Sequence, residues 1–201
     1  MGIKPKKAEP LLTQTKRLLR HFDLQVRKGL GQHFLIDEEV LGLITSAAEL
    51  APANVIMEVG PGLGVLTREL AKQAGWVIAV ELDSKLAAIL KQTLASFSNV
   101  TIINKNILQV DPGVLLQEQE ARFPPTINRP LSYKVVANLP YYITSPVLRH
   151  FLEASVKPQT MIVMVQKEVA EAIAAKPGQM SLLSISVQFY GEPTIISYVP
   201  A

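Results

Sequence analysis

Cysteine is absent from the 201 residues, which removes disulfides, thiolate nucleophiles and cysteine metal sites in one step. Histidine is nearly as scarce. His21, His33 and His150 stand far apart without a paired ligand spacing, so no metal site is expected. Nowhere do about 18 apolar residues follow one another, so no membrane span or membrane partner is expected. The charged start of the chain lacks the apolar centre of a signal peptide, and a cytoplasmic protein is the expectation. With 48% apolar and 18% charged residues, the composition is that of one globular domain, or one domain with an appendage.

The net charge of +3 hides an asymmetry. Residues 1–35 carry Lys4, Lys6, Lys7, Lys16, Arg17, Arg20, Arg27 and Lys28 against Glu9 and Asp23, a net +6, which leaves −3 for the remainder. A basic arm on a slightly acidic body points to a polyanion partner, because lysine and arginine gain by releasing counterions from phosphates. Residues 1–9 read as a solvated tail. Leu11, Leu12, Thr15, Leu18, Leu19 and Phe22 recur at helical spacing, with the basic residues on the opposite face. The expected division is a basic arm and short helix over 1–23 and a single domain over 24–201.

Beyond this arm, strand-like runs alternate with helical periodicity. Strands are expected at Val55–Val59, Trp76–Leu82, Val100–Asn104, Tyr133–Asn138, Thr160–Gln166 and Thr194–Val199. Helices are expected from Glu38, capped by Asp37, and from the glycine loop to about Ala74. Others are expected around Leu86, Ile89, Leu90 and Leu94, and at Val114–Glu120, Ser145–Ala154, Glu168–Ala175 and Ser181–Tyr190. This alternation means an α/β domain with a mostly parallel sheet and helices on both faces.

Two turns stand out. Gly60-Pro61-Gly62-Leu63-Gly64 follows the first strand, and Glu81 ends the second. A dinucleotide fold wants glycine at the first, third and sixth positions, and Val65 occupies the sixth. The Gly-Lys-Ser/Thr ending of a triphosphate loop is also missing. What remains is a glycine turn plus a carboxylate able to accept from ribose hydroxyls. S-adenosylmethionine, an adenosine without a pyrophosphate, fits that description. The second turn is Asn138-Leu139-Pro140-Tyr141. Asparagine supplies an acceptor and two donors, proline stiffens the backbone, and tyrosine presents a ring for stacking. Together they can grip a planar ring bearing an exocyclic amine.

Five ordered motifs, Gly-Leu-Gly-Gln-His-Phe-Leu (29–35), Glu-Val-Gly-Pro-Gly-Leu-Gly (58–64), Val-Glu-Leu-Asp (80–83), Ala-Asn-Leu-Pro-Tyr (137–141) and Val-Gln-Lys-Glu-Val-Ala (165–170), resemble the ribosomal RNA adenine dimethyltransferase family, its small-subunit branch most closely. The resemblance implies a Rossmann-like class I methyltransferase fold of seven strands, with S-adenosylmethionine as donor. It implies as substrate two adjacent adenines near the 3′ end of small-subunit ribosomal RNA, in the immature small subunit, each dimethylated on its exocyclic amine. By position it places His33 and Leu35 at the methionine end of the cofactor, Gly60 and Gly62 in the glycine turn, Glu81 on the ribose and Asn106 beside the cofactor adenine. Asn138 falls between cofactor and target base. Asn138, Leu139, Pro140 and Tyr141 form the catalytic turn. The family usually has asparagine where His33 stands and aspartate where Asn106 stands.

Two alternatives remain open: the antibiotic-resistance branch that modifies large-subunit RNA, and a non-catalytic RNA-binding factor on the same fold. In the family a proline-rich loop, a further strand and a small helical domain follow the last strand. A C-terminally truncated, monomeric chain is therefore expected, one that binds cofactor and methylates ribosomal subunits little.

Overall fold

Apolar runs of five or six residues need cover on both faces, and a parallel sheet between two helical layers provides it. The computed structural model describes residues 9–24 and 35–199. Helix α1 (Leu11–His21) is followed by α2 (Glu38–Ala47), β1 (Val55–Val59), α3 (Val65–Gln73), β2 (Trp76–Glu81), α4 (Ser84–Thr93) and β3 (Val100–Asn104). Then come α5 (Pro112–Gln119), β4 (Tyr133–Asn138), α6 (Thr144–Leu152), β5 (Thr160–Met164), α7 (Lys167–Ile173) and α8 (Leu182–Gln188). All strand pairs are parallel, in the order β3-β2-β1-β4-β5. The chain moves outward from β1 to β3, then returns to place β4 on the other side of β1. That reversal leaves a crevice at the carboxyl ends of β1 and β4, the usual ligand position in open α/β sheets.

The strands divide their side chains between two cores. Val55, Met57 and Val59 of β1 join Ile78 of β2, Val135 of β4, Leu115 and Leu116 of α5, and Val147 and Phe151 of α6. The alternate residues Ile56, Val77 and Val136 meet Val40, Leu41 and Ile44 of α2 and Leu66, Leu70 and Ala71 of α3. Period-two alternation thus buries both faces of the three central strands. Buried aromatics keep their polar ends satisfied: Trp76 Nε1 donates to Thr101 Oγ1 at 3.1 Å and the Tyr133 hydroxyl to the Val156 carbonyl at 2.9 Å.

Side-chain caps set the helix starts. Asp37 Oδ1 accepts from the amides of Glu39 and Val40 at 2.8 and 3.1 Å, and Asp83 Oδ1 from those of Lys85 and Leu86 at the same distances. Asp111 accepts from the Val114 amide at 2.9 Å, which starts α5 at Pro112 rather than at the expected Val114. Proline suits that first position because its missing N–H has no helical partner there. Helix α1 packs Leu11 against the α2–α3 core while Lys16, Arg17 and Arg20 are exposed. Lys85 Nζ donates to the Asp23 carbonyl at 2.9 Å and ties the end of α1 to α4.

One expected strand is absent: residues 191–199 adopt neither helix nor strand. A β-rich segment becomes a strand only with a ladder partner, and this one is held by side chains instead. The Tyr198 hydroxyl donates to Glu171 Oε1 at 3.4 Å and Lys167 Nζ lies 5.6 Å from the Tyr198 ring centre, both residues being on α7. The sheet among the described residues therefore has five strands, with β5 at one edge.

Gly75, between α3 and β2, marks a close approach. A Cβ there would overlap the Pro52 carbonyl oxygen and sit 2.6 Å from Ile127 Cδ1. Gly75→Ala is expected to lower the unfolding free energy by about 1–3 kcal/mol, read as a lower urea midpoint; an unchanged midpoint would show that this junction has slack.

Candidate functional site

The carboxyl end of β1 turns at Gly60, Gly62 and Gly64, whose φ angles of 65°, 59° and 76° lie in the left-handed region that glycine adopts without strain. Each glycine meets a specific neighbour. The Gly60 amide donates to the Val80 carbonyl at 3.0 Å, and a Cβ on Gly60 would lie 3.8 Å from the Pro140 ring. The Gly62 amide donates to Glu81 Oε2 at 3.2 Å. The Gly64 amide donates to the Pro61 carbonyl at 2.9 Å, and a Cβ there would be 2.8 Å from Leu90 Cδ2.

Glu81, at the end of β2, is 6% exposed. Its Oε1 accepts from the Asp83 amide at 2.9 Å, so both carboxyl oxygens are tied to backbone N–H groups. Burial pushes its pKa up, and the Asp83 charge adds to this; the amide hydrogen bonds pull the other way. Asn104 at the end of β3 braces the same turn, its Nδ2 donating to the Glu81 and Leu82 carbonyls at 2.8 and 3.1 Å. Asn106 Oδ1 accepts from the Leu108 amide at 3.1 Å, which leaves one lone pair for another donor.

On the other side of β1, strand β4 ends in Asn138, which is half-buried. The Leu139 side chain enters the core at 1% exposure, and its amide donates to the Met164 carbonyl at 3.1 Å. The Pro140 carbonyl accepts from the Ile143 amide at 3.1 Å, closing the 3₁₀ turn Tyr141–Ile143.

These elements enclose one cavity of about 410 Å³. Leu35, Gly60, Gly62, Glu81, Asn106, Asn138, Leu139 and Pro140 all line it. Tyr141 does not: it lines the neighbouring groove along β5 and α7, and Tyr142 takes the cavity wall beside Asn138. Of the candidate residues, His33 lies outside the described residues.

Glu58 was the residue that sequence reasoning gave no role. It lines the cavity at 1% exposure, and its Oε2 has no hydrogen-bond partner among the described residues. Burial drives its pKa from 4.5 up to about 8; the nearby Thr67 hydroxyl lowers it and the Glu81 charge raises it further. The Thr67 hydroxyl favours the charged form by proximity, yet neither Thr67 Oγ1 nor Glu58 Oε2 completes a well-formed bond. A carboxyl inside the apolar run Val55-Ile56-Met57-Glu58-Val59 was the available signal.

The cavity therefore suits a ligand that brings hydrogen-bond donors. Bare glycine backbone allows close approach, Glu81 and Asn106 offer acceptors, and Glu58 Oε2 is an orphaned buried acceptor. Among the described residues no group of three or more histidine, aspartate or glutamate side chains can hold a metal, and no helix is long and apolar enough to cross a membrane.

The family model described as ribosomal RNA adenine dimethylase matches residues 23–201. The ribosomal RNA small subunit methyltransferase A of Dehalococcoides mccartyi strain CBDB1 is 51% identical over 193 residues, covering 96% of this chain and 62% of that protein. The chain thus spans less than two thirds of that relative's length. The crystal structure of the 23S rRNA methyltransferase ErmE is similar, at 32% identity and a TM-score of 0.61, over 76% of this chain and 56% of that one. A dimethyladenosine transferase from Plasmodium falciparum shares the fold at a TM-score of 0.62 and 24% identity, over 78% of this chain and 52% of that one. The fold is the Rossmann-like class I methyltransferase fold.

Burial of Glu58 has a pH signature. The unfolded chain releases this proton near 4.5, whereas the folded chain keeps it to about 8, so the folded state is favoured below 4.5 and loses that advantage as pH rises to 8. Wild-type unfolding free energy is expected to fall relative to Glu58→Gln across that window, by up to about 1.4 kcal/mol per pH unit. Parallel pH profiles for the two proteins would mean that Glu58 is ionised in the folded chain.

Proposed function

This chain belongs to the ribosomal RNA adenine dimethylase family, and on that premise we propose that it binds S-adenosylmethionine and transfers methyl groups to the exocyclic amines of two adjacent adenines near the 3′ end of small-subunit ribosomal RNA. The substrate is the immature small subunit in the cytoplasm, and the chain works as a monomer. The observation that carries this reading is the meeting, in one cavity at the β1–β4 crevice, of the glycine turn, Glu81 and the Asn138–Pro140 turn.

When bound, S-adenosylmethionine supplies an electrophilic methyl on its sulfonium. Glu81 accepts from the ribose hydroxyls, and Asn106 Oδ1 accepts from the cofactor adenine amine through its remaining lone pair. As a neutral acceptor in place of aspartate, Asn106 gives a weaker bond, by about 1 kcal/mol. Leu35 borders the methionine end. The amine of the target adenine is a poor nucleophile because its lone pair is delocalised into the ring. Asn138 Oδ1 and the Leu139 carbonyl accept its two hydrogens and draw the nitrogen toward tetrahedral geometry, while Tyr141 stacks on the base. Tyr141 lies on the groove beside the cavity rather than on the cavity wall, which suits a ring that meets the target base and not the cofactor. Positioning supplies most of the acceleration. The base must leave its stack to enter, which favours a single-stranded or loop target. The exposed Lys16, Arg17 and Arg20 of α1 offer salt-sensitive, sequence-independent contacts to phosphates.

Fifty-one percent identity to a small-subunit enzyme, against 32% to the large-subunit ErmE, supports the small-subunit target. Tritium transfer by a complete chain from labelled cofactor to immature small subunits, large subunits and free RNA tests it. Preference for large subunits would move the chain to the other branch. Absence of transfer together with tight RNA binding would favour a non-catalytic factor.

Calorimetry is expected to detect binding of S-adenosylmethionine and none of a nicotinamide dinucleotide; the reverse result would overturn the cofactor assignment. In a complete chain, Asn138→Ala and Tyr141→Ala are each expected to slow methylation at least about 100-fold, a loss of transition-state contacts. Their urea midpoints should move far less. Near-normal methylation by Asn138→Ala would remove that residue from the reaction.

A further inference from the structure

Tyr142 lines the cavity and has no part in the chemistry proposed above. It stands on the wall with Asn138, Leu139 and Pro140, and it is 58% exposed. The 3₁₀ turn Tyr141–Ile143, closed by the Ile143 amide on the Pro140 carbonyl, anchors its backbone there. An aromatic ring carries negative charge on its face and attracts cations to it. Lysines already lie over two other tyrosines, Lys157 over Tyr190 and Lys167 over Tyr198, each 5.6 Å from the ring centre. Among the described residues no cation lies over Tyr142.

We infer that the Tyr142 ring is a cofactor-binding group, its face meeting the sulfonium of S-adenosylmethionine in a cation–π contact. This deepens the function proposed above and rests on it. The distribution of charge on the wall points to that partner. Glu58, Glu81, Asp83 and Lys105 all belong to β1, to β2 or to the turns after β2 and β3. The turn after β4, where the proposed transfer takes place, brings only uncharged residues to the cavity. A cationic centre presented there finds no carboxylate, and the Tyr142 ring is the group on that turn able to stabilise it. A carboxylate at that point would also compete with the amine for the methyl. A ring face attracts the cation without aiming a lone pair at it.

The contact is selective by charge. Methyl transfer leaves the electron pair of the broken C–S bond on sulfur, so the product S-adenosylhomocysteine is a neutral thioether. The cation facing Tyr142 is then gone. Tyr142 therefore favours the cofactor over its product and helps the two exchange.

Calorimetry with three ligands tests this: S-adenosylmethionine, S-adenosylhomocysteine, and sinefungin, which carries a cationic amine near the sulfonium position. Tyr142→Leu is expected to bind S-adenosylmethionine and sinefungin about 3- to 10-fold more weakly than the wild type. Its affinity for S-adenosylhomocysteine should be nearly unchanged. Tyr142→Phe keeps the ring and should bind all three as the wild type does. Both variants replace an exposed side chain, and their urea midpoints check that the fold is intact. Equal affinity of Tyr142→Leu and wild type for S-adenosylmethionine, equal weakening for all three ligands, or a loss in Tyr142→Phe as large as in Tyr142→Leu would each overturn the contact. Failure of the wild type to bind any of the three would instead overturn the proposed function and this inference with it.

Discussion

The parallel register of the central strands is the constraint on which the site depends. Glu58 pairs with Ala79, Val59 with Val80, and Glu81 with Asn104. Strands β1, β2 and β3 therefore end at nearly the same level. On the other side of β1, the Val55–Tyr133 and Met57–Val135 pairs bring the end of β4 to that edge. A shift of one residue in any of these pairs would turn Glu58, Glu81 or Asn138 to the opposite face relative to the neighbouring strand. The register is held by the two apolar cores, so burial energy rather than polar contact aligns the chemistry.

The glycine turn converts this alignment into a cavity. Side chains at Gly60 and Gly64 would require strained left-handed backbone, and one at Gly64 would press into Leu90 on α4. A Cβ on Gly60 would reach the Pro140 ring at 3.8 Å, so the turns after β1 and β4 face each other. Stiffness on both sides matters because transferring a methyl group between two bound molecules depends on holding the reacting atoms in line.

Much of this was legible in the residues. The runs at 55–59, 76–81, 100–104 and 133–138 announced strands by β-branched content, and the three glycines announced a turn without dinucleotide spacing. Other features depend on tertiary context. Residues 194–199 read as a strand by propensity, but their side chains bind α7 and no ladder forms. Tyr141 and Tyr142 are indistinguishable by type; in a 3₁₀ turn adjacent side chains diverge by about 120°, and the direction of Pro140 decides which faces the cavity. Glu58 was visible as a charge in an apolar strand, but its orphaned oxygen emerges only when α3 and β2 are packed around it.

The nature of the acceptors beside the target base bears on why dimethylation is compatible with this site. In the proposed chemistry the turn after β4 holds the amine through an amide oxygen and a backbone carbonyl, both neutral, while the two buried carboxyls stand on β1 and β2. After the first transfer the amine has one hydrogen left, and one acceptor goes without its partner. A neutral acceptor left unmet costs about 1–3 kcal/mol, which the stacking of the base can offset in part. A carboxylate in the same place would hold the unmethylated amine more tightly, and would pay a much larger desolvation penalty once the hydrogen was gone. In that proposed chemistry, asparagine at position 138 weakens the first recognition in a way that keeps the second methylation accessible.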